Sequence, residues 1–201
     1  LKVLRDKDAW WFMFFYSVTF GGFVGMASSL TIYFHDQYGL SPVIAGYYTA
    51  ACVFAGSLVR PFGGHLADRI GGIRSLTIMY ALAALFLFVL SFGLTQQSVG
   101  LTVVIAAMTA LGMGNGAVFQ LVPQRFRKEI GIMTGLVGMA GGVGGFYLAS
   151  SLGYSKQVTG DYQVGLIIFA GLAILAMIGL IGVKTRWRTT WGSVTATTAK
   201  V

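Results

Sequence analysis

Residues 75–124 read SLTIMYALAALFLFVLSFGLTQQSVGLTVVIAAMTALGMGNGAVFQLVPQ, a run of 50 residues without a single charged side chain. As one helix this run would be about 75 Å long, whereas the hydrocarbon core of a bilayer is about 30 Å thick. The chain must therefore turn, and the polar residues 95–98, flanked by Gly93 and Gly100, are the natural place. The run predicts two membrane-spanning helices joined by a short loop.

Composition extends this prediction to the whole chain. Of its 201 residues 56% are apolar and only 10% are charged, whereas soluble domains carry about 25% charged residues. Mean hydropathy is +0.76, and nothing alternates as a membrane β-strand does. The sequence predicts an all-α integral membrane protein, one bundle over residues 1–201, with spans at about 10–34, 42–64, 75–93, 99–122, 131–153 and 163–183. It excludes a soluble enzyme and a nucleic-acid-binding protein.

The basic residues divide unevenly between the two sides of this bundle, so the net charge of +8 is a topology signal. One side holds Lys2, Arg5, Lys7, Arg69, Arg74, Arg125, Arg127, Lys128, Lys184, Arg186, Arg188 and Lys200. The other side, with short loops at 35–39, 95–98 and 154–162, holds Lys156 alone. The positive-inside rule predicts a plasma (inner) membrane protein with both termini in the cytoplasm. Four tryptophans near the ends of the first and last spans are typical of an interfacial belt: Trp10, Trp11, Trp187 and Trp191.

Arg60 is the one charged residue well inside a span. Placing an arginine there costs at least about 2.5–3.5 kcal/mol, so a partner is expected, yet no span carries an Asp or Glu at comparable depth. Either Arg60 reaches the cytoplasm or pairs with a carboxylate outside this chain, or its counter-ion is an anionic cargo. Tyr16 and Phe20, one helical turn apart, would offer such an anion a hydroxyl donor and a ring.

Glycine is about twice as frequent as usual, with 29 copies, and its densest run lies in the fifth span. Gly141, Gly142 and Gly144 belong to that run. Packing is one explanation, because small residues let helix backbones approach closely. Each helical glycine costs about 0.8–1 kcal/mol, however, so a run this dense leaves a second explanation open: a bare helix that lines a substrate path or slides during transport. For the polar Asn115 and Gln120 in the fourth span, we expect hydrogen bonds between helices.

Residues 63–74, GGHLADRIGGIR, form the most specific string in the chain. Its glycines allow two spans to meet closely, Asp68 can cap a helix N-terminus or pair with an arginine, and its basic residues hold the loop inside. The string resembles the G-x-L-a-D-r-x-G signature found in cytoplasmic loops of the major facilitator superfamily. The matching residues are Gly64, Asp68, Arg69, Gly71 and Arg74.

Four further segments carry a narrower resemblance, and they occur together in order. They are YSVTFG at 16–21, SLVRPFGG at 57–64, GMGNGAVFQ at 112–120 and GMAGGVGGF at 138–146. With them the chain resembles the C-terminal six-helix half of a nitrate/nitrite porter. The resemblance implies that Arg60 and Tyr16 bind the anion, that Phe20 stacks on it, and that further residues complete the site. These are Asn115, Gly141, Gly142 and Gly144.

The same resemblance implies transport of nitrate, nitrite or both by alternating access, with no cofactor. A facilitator-type carrier of another small or organic anion is the alternative, and exchange and proton symport both stay open. Family members have twelve helices with the site between two halves. We therefore expect a fragment whose partners are the anion, the lipid bilayer and a missing N-terminal six-helix half or a second chain. An enzyme is disfavoured because the membrane region holds no catalytic set such as paired carboxylates.

Overall fold

A computed structural model describes residues 2–190, which are almost entirely helical. Within that range a 3-10 turn at Lys2–Arg5 precedes seven α-helices. They are α1 (Lys7–Tyr38), α2 (Pro42–Leu58), α3 (Arg60–Ile70), α4 (Gly72–Leu90), α5 (Gln97–Arg125), α6 (Ile130–Thr159) and α7 (Gln163–Thr190). Because α2 and α3 follow one another along a single span, the described residues make 6 segments long and apolar enough to cross a membrane. The predicted all-α, six-span fold is confirmed.

The second span differs from the single helix predicted over 42–64. Helix α2 ends at Leu58 and α3 begins at Arg60, with Val59 between them. Pro61 has no N–H to donate to the carbonyl of Ser57, and its ring clashes with a straight helical path. Helical bonding resumes at once, since the Gly63 N–H donates to the Val59 carbonyl at 3.0 Å. The break therefore lies immediately before Arg60, and the span continues past its predicted end.

Four other helices also run past their predicted ends, α5 by three residues, to Arg125. Residues 35–38, predicted as loop, belong to α1, and most of the predicted loop 154–162 belongs to α6; α7 likewise extends beyond residue 183 to Thr190. Gly39 with φ 65° terminates α1, and Gly160 with φ 82° terminates α6. Hydropathy identifies only the part of a helix that lies in the hydrocarbon core. The helix itself continues until a residue such as a glycine in the left-handed conformation ends it.

Helix α1 is the central element of the bundle. It packs most extensively against α6 and also against α5 and α2, and its Phe12, Phe15 and Phe34 are fully buried. The buried Tyr80 hydroxyl of α4 donates to the Phe15 carbonyl at 2.8 Å. This bond satisfies a polar group at a depth where lipid offers no partner. Most of α1 is thus buried against other helices, while α2 and α6 leave much apolar surface uncovered.

The second and fourth spans touch backbone to backbone along a glycine seam. A Cβ on Gly112 would lie 1.9 Å from the Gly56 carbonyl oxygen, and one on Gly116 would lie 2.1 Å from the Arg60 carbonyl oxygen. A Cβ on Gly63 would meet the Met113 carbonyl oxygen at 2.1 Å. Small residues four apart on α5 permit this approach. The seam fixes the backbone of Arg60 against α5.

A cluster of ion pairs ties α1, α5 and α7 together at one end of the bundle. The buried Asp8 carboxylate accepts from Arg125 Nε at 2.8 Å, from Trp187 Nε1 at 2.7 Å and from Arg186. Arg125 also pairs with Asp6, which caps the N-terminus of α1 by accepting from the Asp8 N–H at 2.9 Å. Three helix ends that are distant in sequence therefore share one carboxylate.

Tryptophan placement agrees only in part with the predicted interfacial belt. Trp10 is exposed and Trp11 is half-buried, but Trp187 is fully buried. For Trp187 the prediction is wrong, because its indole N–H donates to Asp8 and its ring stacks on Phe12 with centroids 4.7 Å apart. Trp191, like Lys200, lies outside the described residues.

We expect Asp8→Ala to destabilise the folded protein by about 2–3 kcal/mol. The substitution leaves two arginines and an indole N–H without their common acceptor, and the loss stays below the about 3–5 kcal/mol of a fully buried pair because both arginines are partly exposed. Thermal unfolding of the full-length protein in detergent measures the effect. Glu129→Ala is the control, since Glu129 is exposed and forms no ion pair among residues 2–190. Equal unfolding temperatures for the two variants would contradict the prediction.

The opposite end of the bundle has a smaller polar cluster. The Tyr162 hydroxyl donates to Asp36 Oδ2 at 2.9 Å, and Lys156 Nζ lies 3.5 Å from the same oxygen. Burial, together with the bonded Asp36 carboxylate, raises the pKa of Tyr162 to about 12. The phenol therefore keeps its proton and continues to donate. This cluster connects the C-terminal ends of α1 and α6 to the loop before α7.

Candidate functional site

Four predicted residues from three separate segments come together between α1, α3 and α6: Tyr16, Phe20, Arg60 and Gly141. The rings of Tyr16 and Phe20 stack with centroids 5.0 Å apart and planes inclined by 5°. Arg60 Cζ lies 5.4 Å from the Phe20 centroid, so the guanidinium lies beside this ring stack. A Cβ on Gly141 would lie 2.7 Å from Phe20 Cδ1 and 2.9 Å from Tyr16 Cδ1. The bare backbone of α6 thus accommodates the stacked rings beside the guanidinium.

Arg60 has no acidic partner among residues 2–190. None of the four ion pairs in that range includes it, and its buried Nε has no hydrogen-bond partner there. The guanidinium lies over two rings, those of Phe20 and Phe23. A cation–π contact contributes about 0.5–2 kcal/mol, which offsets only part of the cost of an arginine inside a membrane. The site therefore presents a positive charge that an anion would compensate.

Two aromatic residues of this cluster, Phe23 and Phe119, were not predicted as site residues from the sequence. Phe23 lies closer to Arg60 than Phe20 does, with 4.6 Å between Cζ and the ring centroid. Phe119 of α5 meets the Tyr16 ring edge-on, with centroids 4.9 Å apart. Phe23 could have been found, since it follows Phe20 by three residues on the same helical face. Phe119 could not, because its contact depends on how α5 packs against α1.

The glycines of α6 divide between two faces. A Cβ on Gly144 would lie 2.3 Å from the Ser17 carbonyl oxygen, so α6 and α1 are in backbone contact there. Gly141 packs against the rings of the cluster as described above. Gly142 is exposed, and a Cβ there would meet nothing within 4 Å. Packing thus explains Gly141 and Gly144, while no described residue brings Gly142 into contact with the cluster.

The two polar residues of α5 behave differently. Gln120 bonds across helices as predicted, with Nε2 donating to Asp68 Oδ1 at 3.0 Å. Asn115 is 2% exposed, yet neither its Oδ1 nor its Nδ2 has a hydrogen-bond partner among residues 2–190. The bond predicted for Asn115 is therefore not formed within the described chain. A buried polar group without a partner costs free energy and requires an explanation.

The loop motif lies at the junction of α3 and α4. Asp68 accepts from Gln120, and within residues 2–190 it neither caps a helix nor pairs with an arginine; Gly71, with φ 97°, precedes α4 without any side-chain cap. A Cβ on Gly64 would lie 3.7 Å from the Gly116 carbonyl oxygen, an ordinary contact. Arg69 and Arg74 are exposed and form no ion pair within residues 2–190. The motif therefore connects α3 to α5 through an amide rather than through a charge pair.

Six apolar spans define a polytopic membrane protein, and one of them carries Arg60, which has no acidic partner among residues 2–190. The sequence profile of the Major Facilitator Superfamily matches residues 1–149. The chain belongs to this superfamily, whose members are transporters and not enzymes.

Three curated relatives of the chain carry nitrate or nitrite names. The chain is 36% identical to the "Nitrite extrusion protein" of Bacillus subtilis over 181 residues, covering 89% of the chain and 45% of the relative. It is 32% identical over 200 residues to the "Probable nitrate/nitrite antiporter NarK1" of Thermus thermophilus, covering 89% and 44%. It is 32% identical over 177 residues to the "Probable nitrate transporter NarT" of Staphylococcus carnosus, covering 88% and 45%. The resemblance to nitrate/nitrite porters is confirmed, and the chain spans about half the length of these relatives.

Proposed function

We propose that this chain forms one half of a transporter that moves nitrate, nitrite or both across the membrane by alternating access. The observation that carries the proposal is the Arg60 guanidinium, which has no acidic partner within residues 2–190 and lies beside the Tyr16–Phe20 stack. A monovalent anion would supply the missing counter-charge at a depth where an unpaired arginine is costly. The names of the relatives point to nitrate and nitrite as that anion.

The geometry suggests a role for each residue of the cluster. Nitrate is planar with equivalent oxygens, so two N–H groups of Arg60 would bind two of them together. The hydroxyl of Tyr16, whose ring stacks on Phe20 next to Arg60, would donate to the same anion, and Phe20 would stack on the plane of the anion. We assign Asn115 to the site because its buried amide has no hydrogen-bond partner among residues 2–190 and would be satisfied by a polar cargo. Gly142 would line the path on the open face of α6.

A second six-helix body, either an N-terminal half or another chain, would complete the site. Transporters of this architecture bind substrate near the midplane between two halves. Large apolar side chains on α2, α3 and α6 are left uncovered, among them Phe54 at 65%, Phe62 at 65% and Phe146 at 75% exposure. We propose that this second body covers part of that surface and that lipid covers the rest.

Transport by the full-length protein in proteoliposomes tests this function. Uptake of labelled nitrate that unlabelled nitrite competes away, and that an organic anion such as benzoate leaves unchanged, would support it. Uptake of benzoate without uptake of nitrate or nitrite would instead assign the protein to carriers of organic anions. The absence of flux for all three anions would refute the proposal.

The proposed orientation, with the start of α1 and the end of α7 in the cytoplasm of a plasma membrane, predicts a labelling pattern. Gln157 and Lys128 are exposed at opposite ends of α6, and the single cysteine, Cys52, is buried. In a Cys52→Ala background of the full-length protein, an impermeant thiol reagent added outside cells should label Gln157→Cys and leave Lys128→Cys unlabelled until the membrane is permeabilised. The reverse pattern would invert the orientation, and labelling of both residues from outside would contradict the six-span arrangement.

A further inference from the structure

Phe23 contacts the guanidinium of Arg60 more closely than any other ring of the cluster. The Arg60 Cζ lies 4.6 Å from the Phe23 centroid and 5.4 Å from the Phe20 centroid. Phe23 is only 4% exposed, whereas Phe20 is partly exposed. Phe20 can therefore meet a cargo, while Phe23 is buried beneath the guanidinium and meets the arginine.

The ring of Phe23 is held in place by the glycine seam between the second and fourth spans. A Cβ on Gly56 would lie 2.5 Å from Phe23 Cε2 and 2.6 Å from the Met108 carbonyl oxygen. Gly56 is itself in backbone contact with Gly112. The space that Phe23 occupies thus exists because Gly56 has no side chain, and its position is set by the packing of α2 on α5.

We infer that Phe23 is a positioning residue that sets the plane of the Arg60 guanidinium and thereby the affinity for the anion. The inference rests on the proposed function of Arg60. The buried Nε of Arg60 has no hydrogen-bond partner among residues 2–190, so ring contacts take the place of hydrogen bonds in orienting this group. A guanidinium stacks on aromatic faces through its planar form, and two rings on one face of α1 restrict its tilt. Phe23 therefore acts on the cargo only through Arg60.

The test compares nitrate uptake by full-length variants in proteoliposomes, normalised to the amount of protein inserted. Phe23→Met keeps much of the side-chain volume and removes the ring, so we expect the KM for nitrate to rise about tenfold with kcat nearly unchanged. Phe23→Tyr keeps the ring and should stay near the wild-type KM. Phe15→Met is the matched control, because Phe15 is a buried ring of α1 that packs near Tyr80 and Trp187. It should leave the KM for nitrate unchanged.

A double-mutant cycle with Arg60→Lys separates orientation of the guanidinium from general packing. An ammonium group has no plane to orient, so Phe23→Met should change the KM less than about twofold in the Arg60→Lys background. A tenfold rise in both backgrounds would overturn the inference, as would a wild-type KM for Phe23→Met in the unmodified background. If Phe23→Tyr fails to accumulate, Phe23→Met and the cycle decide. Arg60→Ala, measured in parallel, distinguishes failure of the proposed function from failure of this inference. Normal transport by Arg60→Ala would overturn the proposed function itself. Loss of transport in Arg60→Ala together with a wild-type KM in Phe23→Met would overturn this inference alone.

Discussion

Replacing Arg60 with lysine should weaken nitrate binding by about tenfold or more, and replacing it with alanine should remove binding. Each charge-assisted hydrogen bond contributes about 1.5–3 kcal/mol, and each 1.4 kcal/mol corresponds to about tenfold in affinity. Lysine keeps the charge but cannot present two parallel N–H donors to a planar anion. The structure favours this role because no carboxylate pairs with Arg60 within residues 2–190.

The competing account makes Arg60 the structural partner of a carboxylate outside this chain. Under that account lysine should largely restore function, and alanine should lower the amount of protein in the membrane. Nitrate affinity and membrane abundance of the full-length variants distinguish the two. Wild-type affinity in Arg60→Lys would refute bidentate binding, and intact binding in Arg60→Ala would remove Arg60 from the site.

Leucine at Gly141 or at Gly144 should abolish transport while the protein still reaches the membrane. Any side chain on Gly144 meets the backbone of Ser17, which lies 2.3 Å from the Cβ position and cannot turn aside, so α1 and α6 must separate. A side chain on Gly141 meets the rings of Tyr16 and Phe20 and displaces them from Arg60. Uptake of labelled nitrate per inserted full-length protein measures both effects.

Gly171→Leu in α7 is the matched control for these two substitutions. Gly171 is exposed, and a Cβ there would meet nothing within 4 Å, so transport should stay near the wild-type rate. If Gly141→Leu and Gly144→Leu also transported normally, close contact between α1 and α6 would be unnecessary for function. If Gly171→Leu also abolished transport, leucine would be harmful anywhere in these helices. The loss in the other two variants would then say nothing specific about Gly141 and Gly144.

The sequence predicted those residues of the candidate site whose type is unusual inside a membrane span. Arg60 is conspicuous because a charge inside a span is costly. Tyr16 and Phe20 were proposed from their spacing of one helical turn and then through resemblance to a family. Phe23 shares their helical face and could have been added by spacing alone. Phe119 could not, since only the packing of α5 against α1 brings it to Tyr16.

The helix break before Arg60 is predictable from the sequence, because a proline follows Arg60 directly. Pro61 predicts an interrupted helix by itself, because it lacks the N–H that a continuous helix requires. The hydropathy of residues 42–64 outweighed that signal and suggested one helix. Apolar composition reports that a segment crosses the membrane, and it does not report whether the backbone is continuous.

By itself the sequence determined that this chain is all-α with six spans, because each crossing needs about 20 apolar residues and leaves a run that can be counted. The superfamily was predicted separately, from the resemblance of its loop motif. Only the tertiary structure decided which side chains meet. Trp187 looked interfacial in sequence and is buried against Asp8, a residue at the other end of the described chain. Gly141 and Gly142 are neighbours, yet one packs against the rings beside Arg60 and the other faces open space. The physical reason is that hydropathy is a local property, whereas the face that a helix presents to another helix depends on residues far away along the chain.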